Sequence, residues 1–414
     1  MPKFPLTAAL DIGTTKVCAL LAEVNEQGEL VLIGMGQEPS AGIRDGVVVD
    51  MQLATEAIAN AVDKAVDQAG REVDSVYVGV TGEHIGSMNS SACVAITSPG
   101  REITEMDGEK AILAARSVML PPDRTVIHCI PRFYAIDGQI GVHRPVGMCG
   151  TRLEVETHIV HGSTTFLQNV EKCVRGAGLE ITEMVLEPVA TAESTLMTAE
   201  RELGVCLLDI GGGTSDIAVF MDGAICYSAV IPIGGTDVTR DVAFCLRTDM
   251  EEAERLKLES GCADPKLVED TDTVQLRQLG DDRLRKLPRK ELADIIKARM
   301  EELFSQVLKE LDRGEMLAYI PAGLVLSGGG SRLAGSAEIA REVMHLPVRI
   351  GMPGGVSNME NLQHPMYATA IGLLRYGARE MRSVNGSITS KRNIPRRTPL
   401  QNWMKRMMEM FRFR

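Results

Sequence analysis

The chain of 414 residues lacks any run of about 18 uninterrupted apolar residues, so no segment is expected to span a membrane as a helix. Met1-Pro-Lys-Phe-Pro5 runs straight into a strand pattern without the apolar stretch of a signal peptide, and the chain is expected to be intracellular. Nine cysteines include no Cys-x-x-Cys pair, and Cys18, Cys129, Cys206 and Cys226 sit in apolar strand-like runs. An odd number of thiols so placed speaks against a zinc site or a disulfide framework. Missing too are Gly-x4-Gly-Lys-Ser/Thr and any Gly-x-Gly-x-x-Gly opening a helix after a strand, which disfavours the common nucleotide folds. The net charge of −12 is uneven: from Arg382 onward nine Lys/Arg face only Glu409, so the tail carries +8 and the body −20. Such a body repels nucleic acid and anionic lipid, whereas the tail attracts anionic surfaces. No nucleic-acid partner is expected.

What is present points to two related α/β domains, since 414 residues exceed one ordinary core. Apolar, β-prone residues 6–10 and 17–24 flank Asp11-Ile-Gly-Thr-Thr-Lys16, and Val205–Leu208 and Ile217–Phe220 flank Asp209-Ile-Gly-Gly-Gly-Thr-Ser-Asp216. Each reads as a hairpin around a glycine turn, and the recurrence reads as an internal duplication. Helical periodicity marks 51–69, 108–118, 164–176, 188–202, 249–260 and 289–312. Residues 84–162 read as an insertion, with strands at 91–97, 125–130, 133–136 and 152–160 and one helix. A third cluster, Gly328-Gly-Gly-Ser331, follows the apolar run Gly323–Leu326 and opens a helix near 336–344. Ligands in open α/β sheets sit at such carboxyl ends of strands.

Glycine turns let backbone N–H groups converge on an anion, and two such turns can clasp phosphates from opposite sides. Gly13, Gly211, Gly212, Gly213, Gly328, Gly329 and Gly330 are the candidate cradle, with Thr14, Thr15 and Thr214 as hydroxyl donors, Lys16 as a cation, and Asp216 closing the second turn. Asp11 and Asp209, each ending a buried strand, can hold Mg²⁺ through its retained waters.

These motifs resemble the actin-like ATPase superfamily. The resemblance makes Asp11–Lys16 and Asp209–Asp216 the two phosphate turns, and Leu326–Arg332, with Arg332, the adenosine motif. Leu186-Glu-Pro-Val-Ala190 and His364-Pro-Met-Tyr-Ala-Thr-Ala370 match the two connecting helices. It further implies ATP as ligand, a ribose-contacting pair in Glu254 and Lys257, and a place for Glu187 near the attacking water. From the residues alone the first pair reads equally as an i,i+3 salt bridge and Glu187 as a helix-start residue.

The run His143–Glu154, the run Ile231–Asp241 and the C-terminal segment resemble the bacterial cell-division FtsA family over essentially the whole chain. That implies an actin-like two-lobed fold of duplicated ribonuclease-H-like domains with a relocated subdomain 1C. The expected division is 1–83 with 163–194 and 352–381 as 1A, 84–162 as 1C, 195–227 with 302–351 as 2A, and 228–301 as 2B. A flexible basic linker, 382–399, and an amphipathic helix, 400–414, follow. The family tethers the C-terminal tail of the ring protein FtsZ to the cytoplasmic face of the inner membrane, forms homo-polymers and signals to later division proteins. Lys290, Lys297 and Arg299, within the stretch matching the FtsZ-binding region, are candidate anchors or equally a solvated helix face.

The tail can be read without the family. At about 100° per residue, Leu400, Trp403, Met404, Met407, Met408, Met410 and Phe411 fall within an arc of roughly 160°. Lys405, Arg406, Glu409 and Arg412 take the other side, and Phe413 departs from the wheel. A bulky apolar face opposite a basic one suits a helix lying in an anionic membrane surface, or one docked in a protein groove.

Overall fold

The computed structural model describes residues 5–97, 100, 102–280 and 284–388. The chain opens with β1 (Leu6–Ile12), β2 (Lys16–Val24), β3 (Leu30–Pro39), the short pair β4 (Ile43–Arg44) and β5 (Val47–Val48), α1 (Met51–Ala69) and β6 (Ser75–Val80). An inserted module follows: β7 (Gly86–Ala95), α2 (Glu105–Arg116), β8 (Arg124–Ile136), β9 (Gln139–Val142) and β10 (Arg152–Ser163). The first half closes with α3 (Thr164–Gly176), β11 (Glu180–Leu186), α4 (Glu187–Thr195) and α5 (Thr198–Leu203). The second half runs β12 (Val205–Ile210), β13 (Ser215–Met221), β14 (Ala224–Ile231), α6 (Gly235–Leu246), α7 (Met250–Ser260), β15 (Thr273–Arg277), β16 (Leu284–Pro288) and α8 (Arg289–Arg313). It ends with β17 (Leu324–Ser327), α9 (Ser336–Met344), β18 (Val348–Ile350) and α10 (Ala368–Ile388), the last returning to the first half.

The duplication is visible in the sheets. The first has strand order β11-β6-β1-β2-β3 and the second β14-β13-β12-β17-β18, so each is an antiparallel three-strand meander continued by two parallel strands. Strands at the middle of such sheets are covered on both faces, which is why β12 reads Val-Cys-Leu-Leu-Asp-Ile and is buried throughout. The helix α1 shows how sequence fixes an element. The Asp50 side chain accepts from the Gln52 and Leu53 N–H groups, Gly70 ends the helix in the left-handed region at φ 60°, and Ala54, Ala57, Ile58, Ala61, Val62 and Ala65 form the buried stripe.

Several expected boundaries move for physical reasons. The strands expected at 125–130 and 133–136 are one strand, β8, because the register against β10 shifts between Pro131 and Phe133 and the bulge accommodates a proline that has no N–H. The helix expected at 188–202 is two, α4 and α5, separated at Leu196 and Met197. The expected 108–118 helix starts at Glu105 because Thr104 and Asp107 form a reciprocal cap. Strand β9 and helix α6 were not anticipated. The segment expected as a linker from Arg382 is still helical as far as Ile388. The rest of that linker and the amphipathic segment 400–414 lie outside the described residues, and no described helix is long and apolar enough to cross a membrane.

Candidate functional site

The two hairpin turns face each other across the interface between the halves. In the first, Gly13 N–H donates to the Lys16 carbonyl at 3.0 Å, and in the second Gly211 N–H donates to the Thr214 carbonyl at 2.9 Å, the same closure in both. Gly212 lies against the Thr15 side chain and Gly213 against Thr14 and Asp45; a Cβ on Gly213 would stand 2.9 Å from Thr14 Oγ1. Only glycine permits this approach. The third cluster joins the second turn from behind: Ser327 pairs with Asp209, and Gly328, at φ 76°, packs on the Asp209 carboxyl. Gly329, Gly330 and the exposed Arg332 continue from it as a tight 3-10 turn, with Gly329 facing Met366.

Four carboxylates converge here. Asp11 (5% exposed), Asp209 (5%), Asp216 (2%) and Glu187 (9%) are all buried, with Lys16 the nearby cation. Lys16 Nζ donates to Asp11 Oδ2 at 2.8 Å. Burial opposes the Lys16 charge, but the Asp11 carboxylate outweighs it and raises the ammonium above the usual lysine range. Burial likewise pushes Asp209 up to about 6, with repulsion from Asp11 adding to it and the Thr191 and Thr369 hydroxyls opposing. Those hydroxyls donate to Asp209 Oδ2 at 2.6 and 3.1 Å. They come from the middle of α4 and from the start of α10, so each of the two connecting helices sends a hydroxyl to the same carboxylate. Asp216 is raised by burial, although it accepts from the Thr81 hydroxyl and, at 3.5 Å, from Thr214.

Glu187 is the group left over. It starts α4 ahead of Pro188, and its Oε1 is buried without a hydrogen-bond partner. Burial first, then Asp11, Asp216 and Asp209, raise its carboxyl well above the ordinary range. An orphaned buried carboxyl oxygen among three other acids is costly and calls for a cation, a water or a polar ligand. Among the described residues, no three acidic, His or Cys side chains form a direct metal cage.

Glu254 and Lys257 also reach the site's edge. Lys257 Nζ lies 2.7 Å from Glu254 Oε2 and donates to the Gly235 carbonyl at 2.9 Å and to Thr239 Oγ1 at 2.8 Å. Gly235 in turn donates its N–H to the Gly211 carbonyl at 2.9 Å. The pair is therefore fastened to the second turn rather than standing free in solvent. The sequence had not singled out Thr81, Thr191, Thr369 or Asp45. Thr369 lies inside the quoted run His364–Ala370 and Thr191 one residue past Ala190, so their place in or beside the two connecting-helix runs was the available signal.

The candidate anchors on α8 lie elsewhere and are each engaged. Lys290 pairs with Asp270 and Lys297 with Glu301 at 3.4 Å. Arg299 makes a forked pair with Asp241 of α6 at 2.6 and 2.9 Å and also meets Glu302 at 2.7 Å.

A family model described as "Cell division protein FtsA" matches residues 206–372, and one described as "SHS2 domain inserted in FTSA" matches residues 82–161. The cell division protein FtsA of Pseudomonas aeruginosa is 44% identical over 388 residues, 92% of this chain and 93% of that protein. Among solved structures, the PilM-PilN type IV pilus biogenesis complex superposes with a TM-score of 0.65 at 18% identity, covering 90% of this chain and 98% of that one. MreB5 of Spiroplasma citri bound to ADP gives 0.56 at 16% identity, covering 93% and 99%. The structural likeness is one of fold, mixed α/β and actin-like with an added insertion.

Proposed function

Because the chain belongs to the FtsA family of cell division proteins, we propose that it is a nucleotide-switched adaptor between the division ring and the membrane. In this reading it binds ATP with Mg²⁺ between the two turns and polymerises with its own copies. It holds the C-terminal tail of FtsZ at the cytoplasmic face of the inner membrane and recruits later division proteins through the insertion. The subdomain limits expected from the sequence belong to the same reading.

The observation that carries the nucleotide assignment is Asp209, gripped by Thr191 and Thr369 from the two crossing helices and backed by Gly328. Residues 13–16 and 211–214 would present N–H and hydroxyl donors to the phosphates, and Lys16 would shift from Asp11 toward them. Asp11 and Asp209 would hold the ion's water shell, which supplies the positive charge that these buried acids lack. Glu187, with its free oxygen, would orient a water and accept its proton, giving at most slow ATPase activity. The Glu254–Lys257 pair would close over the ribose. The fold shared with an ADP-bound neighbour supports this reading.

Residues 400–414 supply the membrane contact, their apolar face inserted and Lys405, Arg406 and Arg412 over anionic headgroups. Two variants separate the functions. Asp209→Ala is expected to weaken binding of a fluorescent ATP analogue at least about tenfold and leave co-sedimentation with anionic liposomes intact. Truncation after Pro399 is expected to do the reverse. Undiminished co-sedimentation of the truncated chain would defeat the anchoring claim.

A further inference from the structure

The inserted module is joined to the first half by its two chain ends and by the buried His128 of β8, whose Nε2 accepts from the Leu186 N–H of β11 at 3.0 Å. Other side chains of the module grip the second half. Thr81, the residue before it, donates its hydroxyl to Asp216 of β13. On β7, Ser87 Oγ donates to the Ser228 carbonyl at 2.7 Å and Asn89 Nδ2 to the Cys226 carbonyl at 3.2 Å. On β10, His158, 1% exposed, places Nδ1 2.8 Å from Asn89 Oδ1 and Nε2 2.9 Å from Ser228 Oγ. A carboxamide oxygen only accepts, so Nδ1 carries the proton and Nε2 accepts from the Ser228 hydroxyl. Burial drives the imidazole pKa down to about 3, which keeps that neutral tautomer in place. His158 is satisfied on both ring nitrogens by side chains, while Ser87 and Asn89 close the network on backbone carbonyls of β14.

The far side of this network is β14, the edge strand of the second sheet. Cys226 and Ser228 are two residues apart, so their carbonyls point off the same edge, where β7 meets them with side chains instead of a backbone ladder. After β14 the chain continues to Gly235 and Thr236, whose N–H groups donate to the Gly211 and Gly212 carbonyls at 2.9 and 2.7 Å. The second glycine turn, β14 and the insertion thus form one hydrogen-bonded body.

We propose that the insertion moves with the second half of the molecule, latched to β14 through Ser87, Asn89, His158 and Ser228, and so carries the state of the second glycine turn to its own outer surface. A rotation of the halves would then part His128 from the Leu186 N–H and turn the insertion against α3 and the first sheet, and the surface it offers to a partner would change orientation. This coupling rests on the nucleotide reading above for what drives the rotation, although the latch itself does not.

Pulsed electron double resonance on the full-length chain tests it. Nitroxides go on the exposed Cys149 of the insertion and the exposed Cys245 of α6, with Cys93 and Cys129 changed to serine. A second pair joins Cys149 to Lys172→Cys on α3, with Cys245→Ser added. Binding of a fluorescent ATP analogue is measured on the same samples. With Mg-ATP bound, the Cys149–Cys245 distance should stay constant while the Cys149–Lys172→Cys distance shifts by several ångströms. In Asn89→Ala/Ser228→Ala the first distance should broaden with or without nucleotide, the analogue still binding. A constant second distance with ATP bound, or an unchanged first distribution in the double variant, overturns the latch. If the analogue does not bind at all, the nucleotide reading fails and the latch stands or falls on the double variant alone.

Discussion

Asp209 makes the stability of the protein depend on pH in an unusual direction. Its carboxyl is raised from 3.8 to about 6 in the fold, so between those values the folded chain holds a proton that the unfolded chain has released. Stability is then fullest below the lower value and falls as pH rises through the upper one, by on the order of 3 kcal/mol. Asp209→Asn keeps an acceptor for Thr191 and Thr369 but cannot ionise. Its melting temperature should exceed that of the parent at pH 7.5 and approach it near pH 4, and calorimetry across that range checks this. A parent that gains nothing relative to the variant on acidification would contradict the assignment. At Glu187, Gln should retain nucleotide binding and cut any ATP hydrolysis by about a hundredfold or more, measured as phosphate release in single turnover. The glycine turns and their terminal aspartates were legible because a turn of small residues after an apolar run leaves a local trace. Thr81 and Asp45 were not, since what makes them part of the site is an approach between segments far apart in the chain.

Among elements, α8 shows how a helix can look like a binding face and serve the fold. Arg299, planar and forked, ties α8 to α6 through Asp241, and both side chains are less than a third exposed. Arg299→Ala should therefore cost roughly 0.5–1 kcal/mol in urea unfolding, since water screens the pair. Lys297→Ala should leave unfolding unchanged, so any loss of FtsZ-tail binding there is a direct effect. Surface plasmon resonance with a tail peptide, beside the unfolding curve, separates the two. The periodicity of α1, α3 and α9 gave their bounds closely. Helix α6 escaped because it opens with Gly235-Thr236 directly after a glycine and shows few apolar residues in its first turn, and Pro131 disguised β8 as two strands. In both cases a tertiary partner, the glycine turn or β10, decides what the local pattern leaves open.

At the scale of the molecule, the duplicated strand order explains why one ligand can be clasped twice: equivalent turns at equivalent strand ends meet face to face. Side chains from both halves end on the same buried acids, so a ligand that neutralises them should stabilise the whole chain. Saturation at about 100 times the dissociation constant should add about 2.7 kcal/mol, seen as a single cooperative shift in melting temperature. Two separate transitions, only one of them moving, would show that the halves are not coupled. Repeated strand patterns made the two halves readable in advance, whereas the docking of the insertion on β14 depends on a side-chain network that no spacing rule announces. The course of α10 carries a last consequence. It crosses back over the first sheet, and Arg382, near its end, donates to the Gly28 carbonyl in the β2–β3 turn. The close of α10 is thus tied to the tip of that hairpin, so whatever shifts the β2–β3 turn is felt by a helix whose opposite end holds Asp209.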